Sequence, residues 1–132
     1  YGNWSRHPEF ETGEHMLLDI PNQIDTDPYG YRKFPFIYTH LRTSKAFLWD
    51  KLNRKDLIDP ITQNYFRSAS DVAVQLPFIE MCGKSKSHRI LEPLLVLNRS
   101  NPESVAVKRL KEQKDNEQYI RNLKPYSRYE RK

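Results

Sequence analysis

The sequence predicts a small α/β domain of α+β character, with few strands, flanking helices and a long polar C-terminal helix. Three observations carry that expectation. An apolar helical pattern fills residues 70–82, an apolar run at 89–97 has the length of a buried strand, and a charge-rich helical pattern opens at Asn101 and ends near Lys124-Pro125-Tyr126. The 132 residues suffice for one domain and not two, and with 37% apolar and 30% charged residues the core is small for the length.

Taken in order, residues 1–35 are turn-rich, punctuated by Pro8, Gly13, Pro21 and the run Asp25-Thr26-Asp27-Pro28-Tyr29-Gly30. Short extended pieces are expected at 16–20 and 35–39, and no helix before residue 43. Thr43 and Ser44 are placed to cap a helix through Ala46, Phe47, Leu48, Trp49 and Leu52, its apolar face on Phe47 and Leu48. Residues 56–63 form a polar loop carrying Pro60. Ser70 is the expected cap of a second helix, with Val72, Leu76, Ile79 and Cys82 on one face and Gly83 as its stop. Pro77 inside that pattern predicts a kink or an early end. In 89–97, Pro93 favours an edge strand or a bulge. Asn101-Pro102-Glu103 supplies a cap, a proline at the first helical position and an acid in the first turn of the last helix.

The net charge of +5 is unevenly spread: residues 1–98 hold 12 basic and 12 acidic side chains, and residues 99–132 hold 10 and 5. In the charged helix and tail at 101–132 the signs interleave: Lys108 precedes Glu112, Lys111 precedes Asp115 and Glu117 precedes Arg121, each by four. That spacing describes a self-paired, solvated helix face rather than a one-signed phosphate track, so no specific nucleic acid is expected. No apolar run is long enough for a membrane span, and no secretory signal layout is present. Cys82 is the only cysteine, which favours a reducing, cytoplasmic setting, and the Asn3 and Asn98 sequons carry no weight there.

Few residues have the arrangement that chemistry requires. A phosphate-cradling Gly-rich loop, paired zinc cysteines and a His-Glu-x-x-His helix are all missing. Asp25-Thr26-Asp27 has the form that brings two carboxylates to one hard cation, but Pro-Tyr-Gly follows it and a plain turn is the better reading, so no metal ligand is assigned. His40 and Arg42 sit where an extended segment meets a helix start, either facing solvent or receiving anionic or hydroxyl-rich groups. Asp71 lies in the first turn of an apolar helix. There a carboxylate is either a capping charge or an ionised base held ready by the helix dipole.

Three segments together resemble a bacterial branch of the family 2 glycosyltransferases: His40-Leu41-Arg42-Thr43 before an aromatic-rich helix, Ser70-Asp71-Val72-Ala73-Val74-Gln75-Leu76-Pro77-Phe78-Ile79-Glu80-Met81-Cys82-Gly83, and Arg89-Ile90 through Val96-Leu97-Asn98-Arg99-Ser100-Asn101-Pro102. Tyr119-Ile120-Arg121 with Lys124-Pro125-Tyr126 extends the likeness to the end. The resemblance spans 1–132 as one partial domain, the C-terminal, acceptor-side half of a GT-A catalytic domain. It implies a nucleotide-sugar donor, a glycan or other hydroxyl acceptor and a divalent cation, Mn or Mg, with the donor pocket and the metal-binding Asp-x-Asp upstream in a missing N-terminal half. Asp71 aligns with the family's catalytic base, although Ser70 replaces the usual preceding Glu. His40 and Arg42 align with the acceptor cleft, and Asn98 and Arg99 with a donor diphosphate contact. By the same resemblance the chain alone is inactive, and an orphaned apolar face of Val72, Ile79, Ile90, Leu95 and Leu97 promotes a homodimer. The alternative is a non-catalytic structural or nucleic-acid-interacting module derived from such a domain.

Overall fold

A computed structural model describes residues 20–38, 42–90, 102–104 and 108–130. Its regular elements are helical: α1 (Asn22–Thr26), α2 (Gly30–Lys33), α3 (Ser70–Cys82) and α4 (Leu110–Asn122), with 3-10 helices at Ala46–Lys51, Arg54–Leu57 and Lys84–Lys86. Among the described residues there is no strand and no sheet, only isolated bridging positions, an antiparallel pair at Ile58 and Tyr65 and a further one at Ile90, so the α/β expectation is overturned. The extended piece at 35–38 finds no neighbouring strand among them, and an extended chain becomes sheet only by exchanging hydrogen bonds with one. Of the strand expected at 89–97 only Arg89 and Ile90 are described.

The core is built around α3 instead. Its buried side chains point in nearly every direction, as in a helix enclosed on all sides. Val72, Ala73, Leu76 and Ile79 pack with Ile20, Tyr31, Ile37, Tyr38, Phe66 and Ile120, while Phe78 and Met81 pack with Leu48, Leu52, Tyr126 and Tyr129. Val72 and Ile79 are therefore covered by their own chain, which removes two members of the apolar face expected to drive dimerisation; Leu95 and Leu97 lie outside the described residues. Gly83 stops the helix as expected, and its N–H reaches Ile79 O at 2.7 Å. Ser70 does not cap it. Ala69, in the left-handed conformation, precedes the first turn and makes no side-chain cap bond. Pro77 neither ends the helix nor divides it, and is fully buried within it.

The expectation of no helix before residue 43 fails at α1 and α2. The Asp25–Gly30 run is indeed a turn, closed by Tyr29 N–H on Asp27 Oδ1 at 2.8 Å, but one short helix enters it and another leaves it. Gly30 permits that, because a Cβ there would fall on the Ile24 carbonyl. The helix expected at Thr43 and Ser44 is the 3-10 helix Ala46–Lys51, with Lys45 at its cap position and only Leu48 buried. It ends because the Asn53 N–H turns to Tyr126 Oη at 2.8 Å. The loop at 56–63 begins inside a second 3-10 helix, capped by Asn53 Oδ1, and then winds around the buried Asp59, which accepts from Ile61 N–H and Thr62 Oγ1. The last helix starts at Leu110, not Asn101: Pro102 and Glu103 lie in a turn. None of the helices of the described residues is long and apolar enough to cross a membrane.

Candidate functional site

Two of the residues singled out by sequence come together. Arg42 Nη2 donates to Asp71 Oδ2 at 3.0 Å, joining positions 29 apart in the chain. The guanidinium is mostly buried and lies over the Phe36 ring, 5.8 Å from its centroid, and Phe36 in turn packs edge-on against Tyr38. Asp71 differs: its side chain is 42% exposed, with Oδ1 accepting only the Val72 N–H at 2.9 Å among the described residues. A buried cation therefore fixes a carboxylate whose outer edge meets solvent. An ionised carboxylate has about four lone-pair positions, and these two bonds leave acceptor capacity on the open side. Arg42 Nε is buried and has no hydrogen-bond partner among the described residues. The Phe36 shelf beneath Arg42 was not marked by sequence, although the alternation Phe34, Phe36, Tyr38 leading to Arg42 carries that signal.

The other candidates do not join this pair. His40, Asn98 and Arg99 lie outside the described residues. Asp25 and Asp27 do not fit a divalent cation, since both are taken by protein donors. Asp25 accepts from Tyr31 Oη, the Lys84 N–H at 2.9 Å and Arg128; Asp27 accepts from the Tyr29 N–H and Lys33. Burial opposes ionisation of Asp25, yet the bonds from Tyr31, Lys84 and Arg128 together outweigh it and hold its carboxyl below the ordinary value. Among the described residues no three His, Cys, Asp or Glu side chains gather as metal ligands would. Glu80, on the same helix as Asp71, is a core residue: it accepts from Arg32 Nε, from Arg32 Nη2 at 2.8 Å and from the Tyr126 N–H at 3.0 Å.

A surface depression of about 550 Å3 is lined by Tyr29, Lys33, Phe34, Pro35, Gln118 and Arg121 among others, and shares no residue with the Arg42/Asp71 pair. Its cations are engaged: Arg121 donates to Arg32 O at 2.7 Å, Phe34 O at 2.9 Å and Glu117, and Lys33 reaches Asp27. The α4 charges pair along the helix as their spacing predicts at Lys111/Asp115 and Arg121/Glu117, while Lys108 turns to Glu103 and Glu112 to Ser68 and Arg67. Compared with protein-family models, with curated proteins and with solved structures, the chain matches none.

Proposed function

We propose that this chain supplies the acceptor side of a glycosyltransferase and that Asp71 is its general base. The observation that supports this is the Arg42/Asp71 pair, a carboxylate held in one orientation from within and open to solvent without. In the reaction Asp71 takes the proton of the acceptor hydroxyl as that oxygen forms a bond to the anomeric carbon and the sugar's bond to the nucleotide diphosphate breaks. Arg42 orients the carboxylate. The donor, and the Mn or Mg ion expected with it, are left to residues other than the described ones, since the carboxylates at Asp25 and Asp27 do not suit a cation. A cytoplasmic setting accords with the single cysteine, whose thiol burial pushes upward and so makes less reactive.

Assembly with a donor-binding portion gives the decisive experiment. Asp71→Asn keeps the size of the side chain and its bond to Val72 N–H but leaves Arg42 without its carboxylate, so stability should fall by about 1–3 kcal/mol. Loss of proton acceptance should lower kcat by about 10²–10⁴-fold with donor KM unchanged. Asp50→Asn, at an exposed carboxylate of the first 3-10 helix, is the control and should keep full turnover. Normal turnover by Asp71→Asn with a lowered melting temperature would make Asp71 a structural charge and end the assignment.

A further inference from the structure

The three-residue repeat of the Ala46–Lys51 helix turns Leu48 alone into the core and leaves Phe47 40% and Trp49 52% exposed. Neither ring is loose. Trp49 stands edge-on to the buried Phe78 with centroids 5.2 Å apart, and Phe47 lies on Tyr129 at 5.0 Å. Two large apolar rings are thus fixed to a rigid base with part of their surface in water.

Cations share this segment and the Tyr129 on which Phe47 lies. Lys51 Nζ sits over the Tyr129 ring, Lys86 Nζ donates to Tyr129 O at 3.2 Å, and Arg54 lies over Tyr65. Lys45 and Lys55 are exposed at either end of the segment. Residues 45–55 carry four cations, Lys45, Lys51, Arg54 and Lys55, against one acid, Asp50. Among the described residues none of the four is in an ion pair, whereas Lys108, Lys111 and Arg121 of the basic tail each have a carboxylate partner. The charge in this segment is consequently available to something outside the molecule.

We propose that the 45–55 ridge seats the protein on an anionic lipid surface. Exposed Trp and Phe in a segment bearing exposed Lys and Arg match the boundary between headgroups and acyl chains: the rings enter the apolar side and the cations meet lipid phosphates. Charge complementarity selects the lipid. A nucleic acid fits less well, because rings on which a base would stack already carry partners: Phe47 and Lys51 on Tyr129, Arg54 on Tyr65. The ridge shares no residue with the Arg42/Asp71 pair, so this docking and the transfer chemistry stand or fall separately.

The chain is titrated with vesicles of phosphatidylcholine alone and of phosphatidylcholine mixed with phosphatidylglycerol. Trp4→Phe leaves Trp49 the only tryptophan, so its emission reports the ridge itself. Binding is expected to the anionic vesicles alone, to weaken with salt and to shift Trp49 emission to the blue. Lys45→Ala with Lys51→Ala, which removes no buried side chain, should weaken it about 25-fold. Trp49→Ala should weaken it too, with a melting curve taken alongside because Trp49 also packs on Phe78. Equal binding to both vesicles, binding to neither, unmoved Trp49 emission in the bound state, or full affinity in the double lysine variant would each overturn the assignment. So would capture of polyuridine through these residues without vesicle binding.

Discussion

Glu80 receives Arg32 Nε, Arg32 Nη2 and the Tyr126 N–H while both charged side chains are about 2% exposed, and Arg32 Nη1 continues to Ile120 O at 2.6 Å. Removing one partner of such a pair strands the other charge away from water, which costs about 3–5 kcal/mol. Glu80→Gln should show a loss of that size in urea unfolding, and adding Arg32→Met should restore part of it. Equal midpoints for wild type and Glu80→Gln would mean the pair contributes nothing. Gly83 carries a different constraint. Its φ is +73°, and a Cβ would lie 2.6 Å from Arg128 Cζ, the guanidinium that donates to Ile79 O and Glu80 O. Gly83→Ala should cost about 2–4 kcal/mol in the intact protein, but only the backbone part, about 1–2 kcal/mol, in an Arg128→Ala background. At this scale the sequence marks Asp71 as a first-turn acid and Gly83 as a stop, both local signals. It gives no hint that Arg42 is Asp71's partner or that Glu80 is a core anion, because those facts depend on residues 29 and 48 positions away.

Among the elements, the extent of α3 and its stop at Gly83 were legible, since an apolar run bounded by glycine needs no tertiary information, whereas the Ser70 cap and the break at Pro77 were not borne out. The helices at 22–33 were not, because segments of four and five residues show no period and are held by tertiary packing, α1 on α2 and α2 on α3 and α4. The 3-10 helix at 46–51 has the apolar content of an α-helix, and nothing local reveals that Tyr126 captures the next N–H. The segment at 123–130 reads as a helix ending yet works as a strap. Tyr126 Oη donates to Asp56 Oδ2 at 2.7 Å, the Tyr129 N–H reaches Met81 O at 2.9 Å, and Arg128 joins Asp25 to the end of α3. Burial first, and then the bond to Asp56, pushes the Tyr126 phenol up to about 12. The folded-state value lies above the ordinary 10, so the bonded phenol stabilises the fold fully below pH 10 and ceases to do so as pH rises toward about 12. Tyr126→Phe should therefore be less stable at neutral pH, by about 1–2 kcal/mol for the two hydrogen bonds lost, and should show a weaker fall in melting temperature across that alkaline range. A parallel fall in both proteins would assign the alkaline loss to other groups, such as Tyr31, whose phenol burial and Asp25 also raise.

At the scale of the molecule, the described residues form no sheet and cohere through long-range side-chain ties that converge on α3. Arg32/Glu80 joins α2 to α3, Arg121 holds the carbonyls of Arg32 and Phe34 to α4, and Arg128 ties the strap to α1 and α3. Periodicity in a sequence reports which face of an element is apolar but not which distant residue will meet it. That is why the α/β expectation failed here although the extent of α3 was read correctly. Removing residues 124–132 tests how far this architecture depends on its strap. The deletion takes the Tyr126 N–H from Glu80, uncovers the Leu48, Phe78 and Met81 cluster, and frees the last carbonyls of α3 from Arg128. Helical content should survive, because the helices form within 22–122, but fixed packing around α3 should not. Far-UV circular dichroism should remain close to that of the full chain while near-UV signal is lost, a hydrophobic dye binds and the thermal transition broadens. A sharp transition lowered by only a few degrees would show instead that α3, α4 and the short helices cohere without the strap.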